Sequence, residues 1–200
     1  MTDAPQLYLM TPAGAQAAAL GPLLAEVMDR YAPACLRIRG GAEEDELARL
    51  ADLAREIAHA RDVAVVIDDH VHLALRHGLD GVHLTDGART IRYARKELGA
   101  DAIVGAFCGT SRHEGITAGE AGADYVSFGP VGETVLGRPD PAPLELFQWW
   151  SEMIELPVVA EGAITRELIH ALGPVTDFIA IGPEIWSEDD PAATLSQLWG

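Results

Sequence analysis

Residues 63–84 read VAVVIDDHVHLALRHGLDGVHL, and this stretch decides the fold. Val63–Ile67 is a short, β-branched apolar run, the signature of a strand buried on both faces. It ends at Asp68-Asp69-His70, after which residues 70–77 carry Leu and Ala at helical spacing. Gly78 then supplies a left-handed helix stop, and Gly81–Leu84 is again strand-like. A strand, a crossover helix and a second strand in so few residues make a parallel pair.

The same alternation runs outward in both directions. Strands are predicted at Leu7–Met10, Ala34–Ile38, Val63–Ile67, Gly81–Leu84, Ala102–Phe107, Tyr125–Phe128, Val158–Ala160 and Phe178–Ile181. Helical segments fall near 16–31, 43–60, 70–77, 88–98, 112–121, 142–155, 165–172 and 191–198. Gly99, Gly122 and Gly173, like Gly78, follow predicted helices and suit left-handed caps. Eight β/α units close into a single (β/α)8 barrel, and with no linker or composition break one domain over 1–200 is expected. The Gly/Pro-rich stretch 129–143 is the longest connection, readable as a lid or as a plain surface loop.

Composition narrows the function. The chain has 200 residues, 48% of them apolar, enough to bury a substantial core. Its apolar runs are far shorter than the roughly 20 residues a membrane span needs, and the acidic start resembles no leader, so a cytoplasmic protein is expected. The net charge of −17 opposes nucleic-acid binding, and any anionic ligand must be held by local groups. Cys35 and Cys108 lie on different predicted strands with no metal-ligand spacing and are expected to stay reduced.

In a barrel of this kind the βα loops at the strands' C-terminal ends build the site. Arg37 and Arg39, two apart at the end of strand two, present forked donors suited to phosphate, with ion pairs to Glu43 and Glu44 as the competing use. Asp68 and Asp69 end strand three and Asp86 follows strand four, oxygen donors of the kind Mg2+ selects; one of the first two is expected to cap the next helix. His70, His72, His77 and His83 have no ligand spacing and read as surface or packing residues. The turns at Gly162 and Gly182 offer backbone amides of the kind that binds phosphate on this fold, although Glu161 and Glu184 stand where phosphate would approach. Trp149, Trp150, Phe147, Trp186 and Trp199 read mostly as packing residues, with an oligomer contact as the alternative.

Several segments together resemble the thiamine phosphate synthase and TenI family along the whole chain. They are Leu7-Tyr8-Leu9-Met10-Thr11, Val66-Ile67-Asp68-Asp69-His70-Val71-His72-Leu73-Ala74-Leu75 with Asp80-Gly81-Val82-His83-Leu84, Gly122-Ala123-Asp124-Tyr125-Val126-Ser127-Phe128-Gly129-Pro130-Val131, and Pro157-Val158-Val159-Ala160-Glu161-Gly162-Ala163-Ile164. The resemblance implies a transferase that joins hydroxymethylpyrimidine diphosphate to thiazole phosphate, with Mg2+ assisting departure of diphosphate from a cationic pyrimidine. It places Arg37 as the strand-two arginine, Asp69 as a metal ligand, and Thr134 and Gly162 against the thiazole phosphate. Barrels of this family often pair, so a homodimer is a candidate assembly.

The departures fall on catalytic positions. Where the family pattern has glutamine and lysine on strand two, this chain has Cys35 and Arg39, and Asp68-Asp69-His70 stands for Asn-Asp-Arg. Gly-Gln-x-Asp has become Thr85-Asp86-Gly87-Ala88, leaving Asp86 as the candidate second metal ligand, and the serine-bearing turn has become Phe107-Cys108-Gly109. Near the phosphate-contacting lysine stands Gly137, with Arg138 the nearest cation, and Pro130 occupies the place of the TenI histidine. The expected catalytic set is therefore Arg37, Arg39 and Asp69; the substrate set Asp68, Thr134, Arg138, Gly162 and Gly182; and the metal set Asp69 and Asp86. The alternative is a catalytically inactive TenI-like barrel that binds a thiamine-related phosphate ligand in a regulatory role.

Overall fold

The computed structural model describes residues 4–134 and 140–200. The eight strands are β1 Gln6–Met10, β2 Cys35–Ile38, β3 Ala64–Asp68, β4 Gly81–Leu84, β5 Ile103–Phe107, β6 Tyr125–Phe128, β7 Val158–Glu161 and β8 Phe178–Ile181. Each pairs in parallel with its neighbours, and β1 closes on β8 through Leu7↔Ile179 and Leu9↔Ile181, completing the TIM barrel.

Period-two alternation divides every strand between two cores. Leu36 and Ile38 of β2, Val65 and Ile67 of β3, and Ile179 and Ile181 of β8 point outward and pack against the helices. Tyr8, Met10, Cys35, Val66, Tyr125, Val159 and Ala180 form a separate cluster filling the lumen. Gly105 makes room there: a Cβ at that position would fall 2.0 Å from the Tyr125 ring.

The helical layer comprises α1 Ala17–Tyr31, α2 Glu44–His59, α3 Val71–His77, α4 Ile91–Leu98, α5 Arg112–Ala121, α6 Leu144–Met153, α7 Arg166–Leu172, the four-residue α8 Pro183–Trp186, and α9 Pro191–Trp199. Amphipathic spacing explains α2, where Leu47, Leu50, Ala51, Ala54 and Ala58 are buried along one stripe. Trp150 and Phe147 are core residues, with Phe128 set edge-on against both rings, and Trp149, Trp186 and Trp199 pack partly buried against that core.

Several expectations need correction. Gly78 and Gly122 are left-handed caps, but Gly173 has φ −49° and leads instead into a 3-10 turn at Gly173–Val175. Neither Asp68 nor Asp69 caps α3; the cap position is His70, which makes no side-chain cap bond, because both carboxylates are engaged across the sheet. The α8 turn after β8 is too short for periodicity to reveal. Gly137, Arg138 and the centre of the 129–143 connection lie outside the described residues.

Candidate active site

The C-terminal strand ends surround a cleft of about 470 Å3 lined by Met10, Arg37, Arg39, Thr134, Glu161 and Gly162, with Glu133 and Glu184 on its rim. A larger hollow of about 710 Å3 opens at the opposite end among Gln6, Ser151, Glu155 and Asp177. There Asp177 is spent on Val158 N–H, 2.8 Å away, so that end holds the sheet together.

Strand register places Arg37 on the lumen side of β2, opposite Val66 and beside Met10. It is 4% exposed. Its Nε donates to Asp68 Oδ1 at 2.5 Å and its Nη1 to Glu161 Oε2 at 2.9 Å, bridging β3 and β7 across the barrel. Burial works against the guanidinium's charge, but Glu161, Tyr8 and Asp68 outweigh it and hold the group above its ordinary pKa. One arginine with two carboxylates leaves the upper lumen with a net negative charge. Arg39 lies one residue beyond β2, half-buried at the same cleft, and its N–H donates to Thr11 Oγ1 at 3.0 Å.

Beneath this network lies a chain the sequence reading missed. Tyr8 Oη is 2.6 Å from Tyr125 Oη, which is 2.8 Å from His83 Nδ1. His83, read as a surface or packing residue, is wholly buried, and burial together with the Arg37 charge pushes its pKa well down. Among the described residues, His83 Nε2 and Ser127 Oγ are buried without a partner. The signal was available: Tyr8, His83, Tyr125 and Ser127 all sit at inward-facing strand positions.

Asp69 follows β3 with φ +54° and is exposed. Its carboxylate accepts from Thr85 N–H at 2.8 Å and from Thr85 Oγ1 at 2.5 Å. Asp86 accepts from Thr90 Oγ1 at 2.9 Å, a bond within its own loop. Among the described residues, no group of three or more His, Cys, Asp or Glu side chains is arranged to hold a metal. A single carboxylate still fits Mg2+, which commonly binds one or two carboxylates and completes its shell with phosphate oxygens and water.

The far wall is built by the β7–α7 and β8–α8 loops. Gly162 has φ +91°, and a Cβ there would lie 3.0 Å from Pro130, so the close loop packing requires glycine. Glu184 accepts from Ile164 N–H at 3.1 Å and from Gly182 N–H at 2.9 Å. The two glutamates that the sequence set against a phosphate site therefore have separate partners: Glu161 pairs with Arg37, and Glu184 fills the loop amides. Thr134 lines the cleft, and Arg138 lies outside the described residues.

The family model for thiamine monophosphate synthase, TMP-TENI, matches residues 7–182. A thiamine-phosphate synthase of Rhodospirillum centenum is 40% identical over 98% of this chain and 96% of its own length. One of Erythrobacter litoralis is 41% identical over 76% of this chain and 74% of its own. The solved thiamine phosphate pyrophosphorylase of Pyrococcus furiosus superposes with a TM-score of 0.80 at 25% identity, covering 97% of this chain and 93% of that one. The closed barrel, the cleft at its C-terminal face and a match over almost the full length lead to one conclusion: the chain belongs to the thiamine monophosphate synthase family.

Proposed function

We propose that the protein is a thiamine phosphate synthase, joining hydroxymethylpyrimidine diphosphate to thiazole phosphate with release of diphosphate. Beyond the family match, one observation carries this reading. One cleft is lined by Arg37 and Arg39 and also by Glu184, whose carboxylate takes up the backbone N–H groups of Ile164 and Gly182. Such a cleft suits two substrates that each bring an anionic group.

In the reaction the bond between the pyrimidine methylene and the diphosphate oxygen breaks, and its electron pair leaves with the diphosphate. The thiazole nitrogen lone pair forms the new C–N bond. Arg39 faces the leaving group, while Asp68 and Glu161, only partly offset by Arg37, favour positive charge developing on the methylene carbon. Asp69 would hold Mg2+, which neutralises charge on the diphosphate. Asp86, whose Oδ1 accepts from Thr90 within its own loop, is the candidate second ligand. Thr134, Gly162 and Gly182 border the place for the acceptor phosphate, with Arg138 a candidate counter-charge.

No helix among the described residues is long and apolar enough to cross a membrane. We read the chain as one functional domain over 1–200, a cytoplasmic homodimer whose net charge of −17 sets it against nucleic acid. Light scattering checks the dimer.

The function is tested by supplying purified protein with both substrates and Mg2+ and following thiamine phosphate and diphosphate together. Equal release of both products, lost in Asp69→Ala, supports the synthase. Absence of product leaves the alternative, a barrel that binds a thiamine-related phosphate in a regulatory role.

A further inference from the structure

Glu184 is the most unusual feature of the cleft. Its two carboxylate oxygens bridge two loops, one bond going to Ile164 N–H of the β7–α7 loop and one to Gly182 N–H at the end of β8. On this fold the loops after strands seven and eight commonly bind a phosphate group. Here a side chain of the protein supplies the anion. Ile164 is 4% exposed, so its N–H needs an acceptor whenever substrate is away.

The surroundings give the side chain two places to be. On one side Glu184 borders the cleft with Arg37, Arg39, Thr134 and Gly162. On the other it borders a separate hollow of about 360 Å3 lined by Thr165, Arg166, Thr194 and Gln197. Thr165 and Thr194 already spend their hydroxyls on Glu167 and on Asp190 O, but Arg166, which gives Nη2 to Gly200 O, keeps further N–H groups for a displaced carboxylate.

We propose that Glu184 is a specificity residue which occupies the acceptor-phosphate cradle in the free protein, and that an incoming phosphate binds by displacing it toward Arg166. The inference rests on the proposed synthase reading for the identity of the acceptor, and it adds that the cradle is self-occupied. Glu184 keeps the buried amides paired between turnovers and lowers affinity for any anion too weak to displace it. Orthophosphate and other small anions are thereby disfavoured relative to an acceptor whose ring makes further contacts in the cleft.

The test uses inorganic phosphate as the probe and needs no turnover. Calorimetric titration of the full chain compares wild type with Glu184→Ala and Glu184→Gln. If the cradle is open in a tenth of molecules, emptying it tightens phosphate binding about tenfold. Glu184→Ala should also melt lower than wild type without phosphate and recover more on its addition. Glu184→Gln, which keeps a neutral acceptor, should fall between the two and guards against a poorly folded alanine variant. In Arg166→Met the outer seat is lost and phosphate should bind more weakly than to wild type.

If neither Glu184 variant binds phosphate more tightly than wild type, Glu184 is only a brace between two loops and the inference is wrong. Tighter binding in a protein that makes no thiamine phosphate would overturn the synthase reading while leaving the self-occupied cradle standing. Turnover with unchanged phosphate binding would do the reverse.

Discussion

Thr85 donates twice to Asp69, from its backbone N–H to Oδ1 at 2.8 Å and from its hydroxyl to Oδ2 at 2.5 Å. The two bonds tie the end of β3 to the residue after β4 and fix the orientation of the carboxylate proposed to hold Mg2+. Each oxygen retains capacity for a further partner. Thr85 is thus a positioning residue for Asp69.

Thr85→Val removes the hydroxyl bond and keeps the backbone one. The Mg2+ concentration for half-maximal activity should rise about 10-fold or more, the usual scale when a group supporting a metal ligand is lost. Activity should recover at high Mg2+. Asp69→Asn tolerates φ +54°, because asparagine enters the left-handed region readily, and should fold normally while losing activity at every Mg2+ concentration. Metal titrations of the two variants separate positioning from ligation.

Arg37 should be indispensable to the fold as well as to the site. Arg37→Met leaves Asp68 and Glu161 buried without their cation, at a cost of about 3–5 kcal/mol. Replacing all three groups, as in Arg37→Met/Asp68→Asn/Glu161→Leu, should recover most of that stability while abolishing activity. Urea unfolding of the single and triple variants measures it; a single variant as stable as wild type would show that the network is not structural.

The sequence was legible where local chemistry decides the outcome and silent where distant residues do. All eight strands could be read because short β-branched runs bounded by turns have few other uses, and β3 and β4 were placed to within a residue. Arg37 was found as a site residue, but its partners come from positions 31 and 124 residues away, and no local pattern announces such pairing. The capping role given to Asp68 or Asp69 failed for the same reason, since cross-sheet partners took both carboxylates. The inward-facing position of His83 is legible from strand alternation, but its partner Tyr125 is visible only once the barrel closes. Glu184 was recognised as an obstacle to phosphate, but the amides it occupies belong to loops that the fold alone brings together.

Both cysteines should be inert in the native protein. Cys35 and Cys108 are buried, and burial pushes each thiol up to about 12, leaving almost no thiolate at neutral pH. Dithiobis(nitrobenzoate) at pH 8 should label neither in the native protein and both after denaturation. Rapid labelling of either in the folded state would show that its shell opens easily.

His83 should make the barrel's stability sensitive to acid. Its folded pKa is pushed well below 6.5, by burial first and by the Arg37 charge second, so the unfolded chain takes up this proton before the folded one does. The neutral imidazole's contribution is therefore fully present above pH 6.5 and is lost progressively as the pH falls from there toward the depressed folded value. Wild type should lose stability between pH 6.5 and 5 by up to about 1.4 kcal/mol per pH unit from this one group. His83→Gln gives up the bond to Tyr125 in its present geometry and should be less stable at pH 7, yet its stability should fall less steeply over the same interval. Urea midpoints at pH 7, 6 and 5 for both proteins supply the comparison. Parallel slopes would assign the acid sensitivity to other groups and leave the Tyr8–Tyr125–His83 chain with a packing role alone.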